Sequence, residues 1–145
     1  LESALEFLEI TDHSFVTKTL FILTHVKVKQ GDKKSAKLYF EKGCDLVVKN
    51  NDDEYSAKFK ILEGLYFSNG EYDLIREAFR YLDMMKMYAD LENYAVDVAD
   101  YFHQERDFQR SSEYYRLSVE ARKKIKKGEV INENKPDSIN SGGID

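Results

Sequence analysis

Three short turns recur along the chain at similar spacing: Gln30-Gly31-Asp32-Lys33, Asn69-Gly70-Glu71-Tyr72 and Glu105-Arg106-Asp107-Phe108. Each separates two stretches of helical periodicity. Self-similarity at a period of roughly 35 residues denotes stacked helix pairs, because one pair cannot bury its apolar face alone. This constrains function before any single residue is read. An array of helix pairs is a surface for holding another chain far more often than a place where bonds are made.

With the turns aligned, the helices fall into register. In the last unit Ala95, Val98, Ala99 and Phe102 lie at i, i+3, i+4 and i+7, and Phe108, Ser111, Tyr115 and Ser118 follow the turn. This predicts helices near 89–104 and 108–127. In the middle unit Phe59, Leu62 and Tyr66 precede the turn, and Tyr72, Ile75, Phe79 and Leu82 follow it. In the first, Leu20, Leu23 and the stem of Lys27 precede; Ala36, Phe40 and Gly43 follow. These stripes mark buried faces. The units start at Thr17, Ser56 and Glu92, so they are 39 and 36 residues apart. Small residues such as Ala36, Ala99 and Ser111 let helices approach closely, and neighbouring aromatics fill the remaining space.

This alternation resembles the tetratricopeptide repeat over about residues 1–127, although Lys27, Lys33 and Glu63 depart from its pattern. The expected fold is all-α: a right-handed superhelix of about three and a half tetratricopeptide-like pairs. Residues 1–12 read as the second helix of an earlier pair, so the chain reads as part of a longer array. From 128 to 145 the apolar period stops, and Asn, Ser, Gly and Pro136 dominate. That segment is expected to be a flexible tail. Gly128 is a stop for the last helix, and Lys123, Lys124, Lys126 and Lys127 complement its negative end.

Composition supports the helical reading and narrows the partners. The 145 residues are 42% hydrophobic and include a single Pro, so the turn-formers that strands need are lacking. A formal net charge of −5 gives no whole-chain reason to expect nucleic acid. The basic cluster at 122–127 ends a helix and has no interleaved aromatics. Cys44 is the single cysteine, which fits a reducing, cytoplasmic setting. No apolar run reaches the length of a membrane span.

Candidate binding residues come from the first helix of each pair, which forms the concave wall of such an array. In the last unit the side next to the packed stripe carries Asn93, Val96, Asp100 and His103. In the middle unit it carries Ala57, Lys60, Gly64, Phe67 and Ser68, and in the first Lys18, Phe21, His25 and Val28. Asn can pair both a peptide N–H and a C=O, and apolar pockets take alternate side chains of an extended segment. Asn93 and Asp100 are expected to contact peptide backbone or a basic side chain, and Phe67 and Phe21 to line pockets. Lys60, His25 and His103 complete the expected site. An ordinary solvated helix face is the competing reading of the same residues.

Charge adds a second pattern. Five acids and no Lys or Arg lie between Asp90 and Glu105, whereas Arg106 to Lys127 is rich in base. The acidic helix would attract a basic peptide; alternatively, the two helices neutralise one another. Catalytic chemistry finds no support in this chain. His13, His25 and His103 are far apart and lack ligand spacing, Cys44 has no neighbouring His, and no Gly-rich phosphate loop is present. No catalytic residue, metal site or cofactor is expected.

Two stretches go beyond a generic repeat. One is Asp53-Glu54-Tyr55-Ser56-Ala57-Lys58-Phe59-Lys60-Ile61-Leu62 with Leu65-Tyr66. The other runs from Lys86-Met87-Tyr88-Ala89-Asp90-Leu91-Glu92 through Tyr94–Phe102, Asp107-Phe108 and Ser111–Tyr115 to Ala121-Arg122-Lys123-Lys124-Ile125. Over about residues 50–128 the chain resembles the C-terminal repeats of Rap-type response-regulator aspartate phosphatases of bacilli. The resemblance implies a short secreted and re-imported signalling peptide held by the repeats. It also implies an N-terminal three-helix bundle that acts on a response regulator or binds a DNA-binding regulator. The bundle and its catalytic Gln have no counterpart here. Peptide-controlled transcription regulators with similar repeats behind a helix-turn-helix are the related alternative. A plain protein–protein scaffold is the rival class, and a homodimer is a further partner left open.

Overall fold

The computed structural model describes residues 13–68 and 71–128. Six helices fill them: α1 (His13–Lys29), α2 (Lys33–Asn50), α3 (Asp53–Leu62), α4 (Tyr72–Met84), α5 (Tyr88–Gln104) and α6 (Phe108–Lys126). α3 runs on into a π-helical turn, Glu63–Phe67. There is no strand among the described residues. The expected helices near 89–104 and 108–127 are thus present within one residue of their bounds. The expected helix at 1–12, the turn residues Asn69 and Gly70, and the tail from 129 lie outside the described residues.

One joint is used four times. At Gly31, Asn51, Lys86 and Arg106 the chain enters the left-handed region, with φ of 79°, 51°, 57° and 62°. Each such N–H donates to the carbonyl three residues back, and the next N–H to the carbonyl five back, as in Arg106 to His103 (3.0 Å) and Asp107 to Phe102 (2.8 Å). This paired closure satisfies the orphan carbonyls of the finishing helix. The residue after it then caps the next helix. Asp32, Asp52 and Asp107 accept from the N–H groups of Ser35 (3.1 Å), Tyr55 (3.0 Å) and Arg110 (3.2 Å). Met87 holds the same place with φ −86° and ψ 64° but offers no side-chain cap.

The chain forms two compact units, residues 1–78 and 79–145, with the boundary inside α4. In the first, the core is built from Val16, Leu20, Ala36, Val47, Ile61, Leu62 and Ile75 around Phe59. Phe59 is 2% exposed and lies edge-on to Phe21 (5.4 Å between ring centroids) and Phe40 (5.9 Å). Gly43 makes room for it: a Cβ there would meet Phe59 Cζ at 2.3 Å. Gly64, inside the π turn, serves α4 similarly, since a Cβ would lie 2.7 Å from Ile75 Cγ1 and 3.2 Å from the Glu71 carbonyl.

In the second unit Phe79, Leu82, Leu91, Ala95, Val98, Ala99, Phe102 and Tyr114 are buried. α5 and α6 approach closely where both carry small residues, and Ser111 Oγ donates to the Ala99 carbonyl at 2.8 Å. One expected stripe is corrected here. α6 buries Ser111, Tyr114, Ser118 and Ala121, whereas Phe108 and Tyr115 are exposed. Adjacent tyrosines left the sequence pattern ambiguous. Tyr114 takes the core place because it sits edge-on to Phe79 (5.1 Å), which turns Tyr115 outward. In α2 likewise, Tyr39 is buried and Phe40 only partly.

Candidate functional site

The exposed side of α5 follows from its buried one. With Leu91, Ala95, Val98 and Phe102 packed inward, the 3.6-residue period leaves Asn93, Val96, Asp100 and His103 facing out. The structure therefore brings the expected residues Asn93, Asp100 and His103 onto one stripe. Asp100 accepts a hydrogen bond from the Tyr115 hydroxyl of α6. That bond holds the phenol protonated and raises its pKa, with burial and the carboxylate charge adding to the effect. The His103 ring lies edge-on to Phe108, 5.3 Å between centroids. Asn93 is exposed, and an amide offers both donors and an acceptor to a main chain.

The other expected residues belong to the first unit. Phe21 is 6% exposed and packs edge-on against Tyr55 (5.7 Å) and Phe59, with His25 tilted beside it at 6.3 Å. Lys60 reaches across to Glu77 of α4 in an ion pair. Phe67 stacks at a tilt on Phe40 of α2, 4.5 Å between centroids. Tyr66 turns toward α1, 6.4 Å from His25, with Lys29 Nζ 5.9 Å from its ring centre. The π turn thereby ties α3 to both preceding helices. Its closing bond runs from Ser68 N–H to the Glu63 carbonyl (2.8 Å), and π turns of this kind are frequent at functional sites.

The charge pattern resolves partly into contacts between α5 and α6. Glu92 pairs with Arg122 at 3.6 Å, and Asp100 is engaged by Tyr115 rather than by a base. The described residues contain no group of three His, Cys, Asp or Glu able to hold a metal ion. No described helix is long and apolar enough to cross a membrane. Burial pushes the Cys44 thiol up to about 11, with Glu63, Asp45 and Glu41 adding to the effect, so the thiolate is scarce at neutral pH. Together these surfaces offer an amide, a carboxylate, an imidazole and aromatic faces: groups for recognition.

No family model matches the chain. Individual proteins do. Response regulator aspartate phosphatase I of Bacillus subtilis (strain 168) is 59% identical over 138 residues, which is 95% of this chain and 35% of that protein. The chain belongs to the Rap family. Among solved structures, the apo form of RapI matches with a TM-score of 0.78 and 57% identity, over 86% of this chain and 45% of that one. A Rap protein complexed with competence and sporulation factor matches at 0.76 and 26% identity, over 85% of this chain and 34% of that one. The chain thus spans about a third of the length of the curated Rap relative.

Within this Rap region, Tyr115, Tyr66, Tyr55 and Lys29 are not among the site residues that the sequence indicates. The periodicity puts Tyr66 and Tyr115 on packed stripes, which gives no sign of the bond from Tyr115 to Asp100. The Leu65-Tyr66-Phe67 run was the available signal for an aromatic junction. A regular helix would not have sent Tyr66 and Phe67 to two different neighbours; the π turn does.

Proposed function

We propose that this Rap region is the sensor of a longer regulator and binds a short linear peptide along the exposed sides of the first helices of its pairs. The observation that carries the reading is the solved Rap protein complexed with competence and sporulation factor, which matches 85% of this chain. Asn93 and Asp100 supply main-chain and basic-side-chain contacts, with His103 and Val96 beside them. The first unit, taken by itself, offers His25, Lys60 and Phe67 as further candidate contacts, with Phe21 behind them in its core. Peptide binding favours one arrangement of the helix pairs and so biases an output module elsewhere in the longer protein. That module acts on a response regulator, in keeping with the aspartate phosphatase relative.

Calorimetric titration with a library of short peptides tests the reading. A hit should lose roughly tenfold in affinity (about 1.4 kcal/mol) on Asn93→Ala and keep it on Lys49→Ala. Equal affinity in both variants removes Asn93 from the site, and the absence of any hit in the longer protein removes the sensor reading. Phosphate release from a phosphorylated response regulator, with and without peptide, tests the output.

A scaffold reading is favoured by one observation: Phe15, Ile22 and Val26 are exposed along one side of α1. Light scattering on the longer protein separates the two. Stable association through that side, with no peptide hit, would favour the scaffold.

A further inference from the structure

Leu117, Glu120, Ala121 and Lys124 run along one flank of α6 and, with Asp83, Tyr88 and Leu91, line a small notch within the second unit. This is not the flank that carries Tyr115. Lys124 follows Tyr115 by nine residues. That is about two and a half turns, so the two side chains leave opposite sides of the helix. The notch is therefore distinct from the side on which Tyr115 meets Asp100.

The floor of the notch is apolar and covered: Tyr88, Leu91 and Ala121 are buried. Its rim is charged. Lys124 Nζ lies 5.0 Å over the centre of the Tyr88 ring and 3.8 Å from the Asp83 carboxylate. The joint between α4 and α5 sets Asp83 and Tyr88 side by side, because the N–H groups of Lys86 and Met87 donate to the carbonyls of Asp83 (3.0 Å) and Leu82 (2.9 Å). Glu120 stands on the same rim. Two carboxylates thus border a place that a single ammonium occupies.

Three points identify what the notch accepts. The face of an aromatic ring beside a carboxylate is a place for a cation, and the molecule's own ammonium sits there. That ammonium is loosely held. At 3.8 Å the pair is too long for a hydrogen bond, and its side chains are 41% and 60% exposed, so it contributes little. Finally, the space left beside Lys124 is about 20 Å³, room for one water and for no side chain, so an incoming group must displace the lysine. A guanidinium is the better occupant. It is flat enough to stack on the ring, and its fork offers two N–H groups to one carboxylate.

We propose that this notch is the docking point for an arginine side chain of a partner protein, with Lys124 swinging into solvent as the arginine enters. Leu117 is exposed at the edge, and Met84 and Met85, next to Asp83 in the chain, are exposed as well. They supply apolar contact to the residues flanking the arginine, and unbranched thioethers adapt to varied neighbours. The surface stands whether or not the α5 stripe binds a peptide.

NMR titration of the 145-residue chain with acetyl-arginine amide tests the site. Shifts should concentrate at Tyr88, Leu91, Leu117, Glu120 and Ala121, and the neutral citrulline analogue should produce none. Lys124→Gln should tighten binding about threefold, the worth of an exposed ion pair removed from competition, and Asp83→Asn in that background should abolish it. Lys124 and Asp83 are both part-exposed, so these variants keep the fold. A five-residue peptide with leucine on each side of the arginine should bind more tightly than the single residue and shift the Met84 and Met85 methyls. The proposal is overturned by no shift in the Lys124→Gln chain, by equal shifts from citrulline, or by shifts confined to Asn93, Val96 and Asp100. A peptide that binds no better than acetyl-arginine amide overturns the docking surface. Self-association that the probe dissolves would assign the notch to a second copy and overturn the partner.

Discussion

Gly43 and Phe59 show how much one missing methyl decides. Ala is the better helix former, but at position 43 its Cβ would meet a ring edge 2.3 Å away. Phe59 cannot withdraw, because Phe21 and Phe40 flank it. Gly43→Ala should therefore destabilise the fold by about 1–3 kcal/mol, as overpacked cores do, and urea unfolding will read it. Arg106 presents the opposite case. It holds φ 62° at an exposed joint where glycine carries no penalty, so Arg106→Gly should stabilise by about 1 kcal/mol in the same assay. Asp32 adds a pH dependence. Its hydrogen bonds from Ser35 lower its pKa, with Lys27 and Lys34 contributing, so folding favours the ionised form. The resulting stability is present above the unfolded-state pKa and is lost as pH falls through the lower folded one. Asp32→Asn, which still caps, should flatten the acid limb of a melting-temperature profile against pH.

At the scale of elements, the joints explain why these helices start and stop where they do. Each places a left-handed residue directly before a capping position, and three of the four capping positions hold Asp. Met87 is the exception, with backbone angles close to those of Asp107. Met87→Asp should add about 1 kcal/mol to stability in thermal or urea unfolding, the usual worth of a cap. The joints were legible as Gln30-Gly31-Asp32 and Glu105-Arg106-Asp107, because glycine and the capping aspartates leave a local signal. Lys86-Met87 carries neither, so the joint between α4 and α5 could not be read directly. The π turn was also hidden, since a single extra residue per turn changes no composition. Tyr115 was misassigned because a helical period tolerates a shift of one position when both residues are tyrosine. Packing against Phe79 breaks the tie, and that contact is not local in sequence.

For the molecule as a whole, the class of fold was readable from repetition, and the family from two stretches of residues. The candidate site was readable only in part. Asn93, Asp100 and His103 follow from the period of α5, since knowing which side is buried gives the other. The surroundings of Phe21, Lys60 and Phe67 depend on neighbours brought in from other helices, and these set whether a side chain is free to meet a ligand. Lys60 shows this: Glu77 engages it from α4. If a peptide draws on that lysine, Glu77→Gln should strengthen binding severalfold at low salt and much less at high salt, measured by calorimetry.

The repeated joint has a consequence for descent. Every hydrogen bond that closes it is made within a few residues of the turn, so no joint depends on another for its backbone partners. A duplication or loss cut at two such joints would deliver a complete helix pair with both ends already satisfied. Genetic change of that size would leave packing surfaces to be refitted and no main-chain bonds to be remade, which gives arrays of this type an easy route to growing longer or shorter.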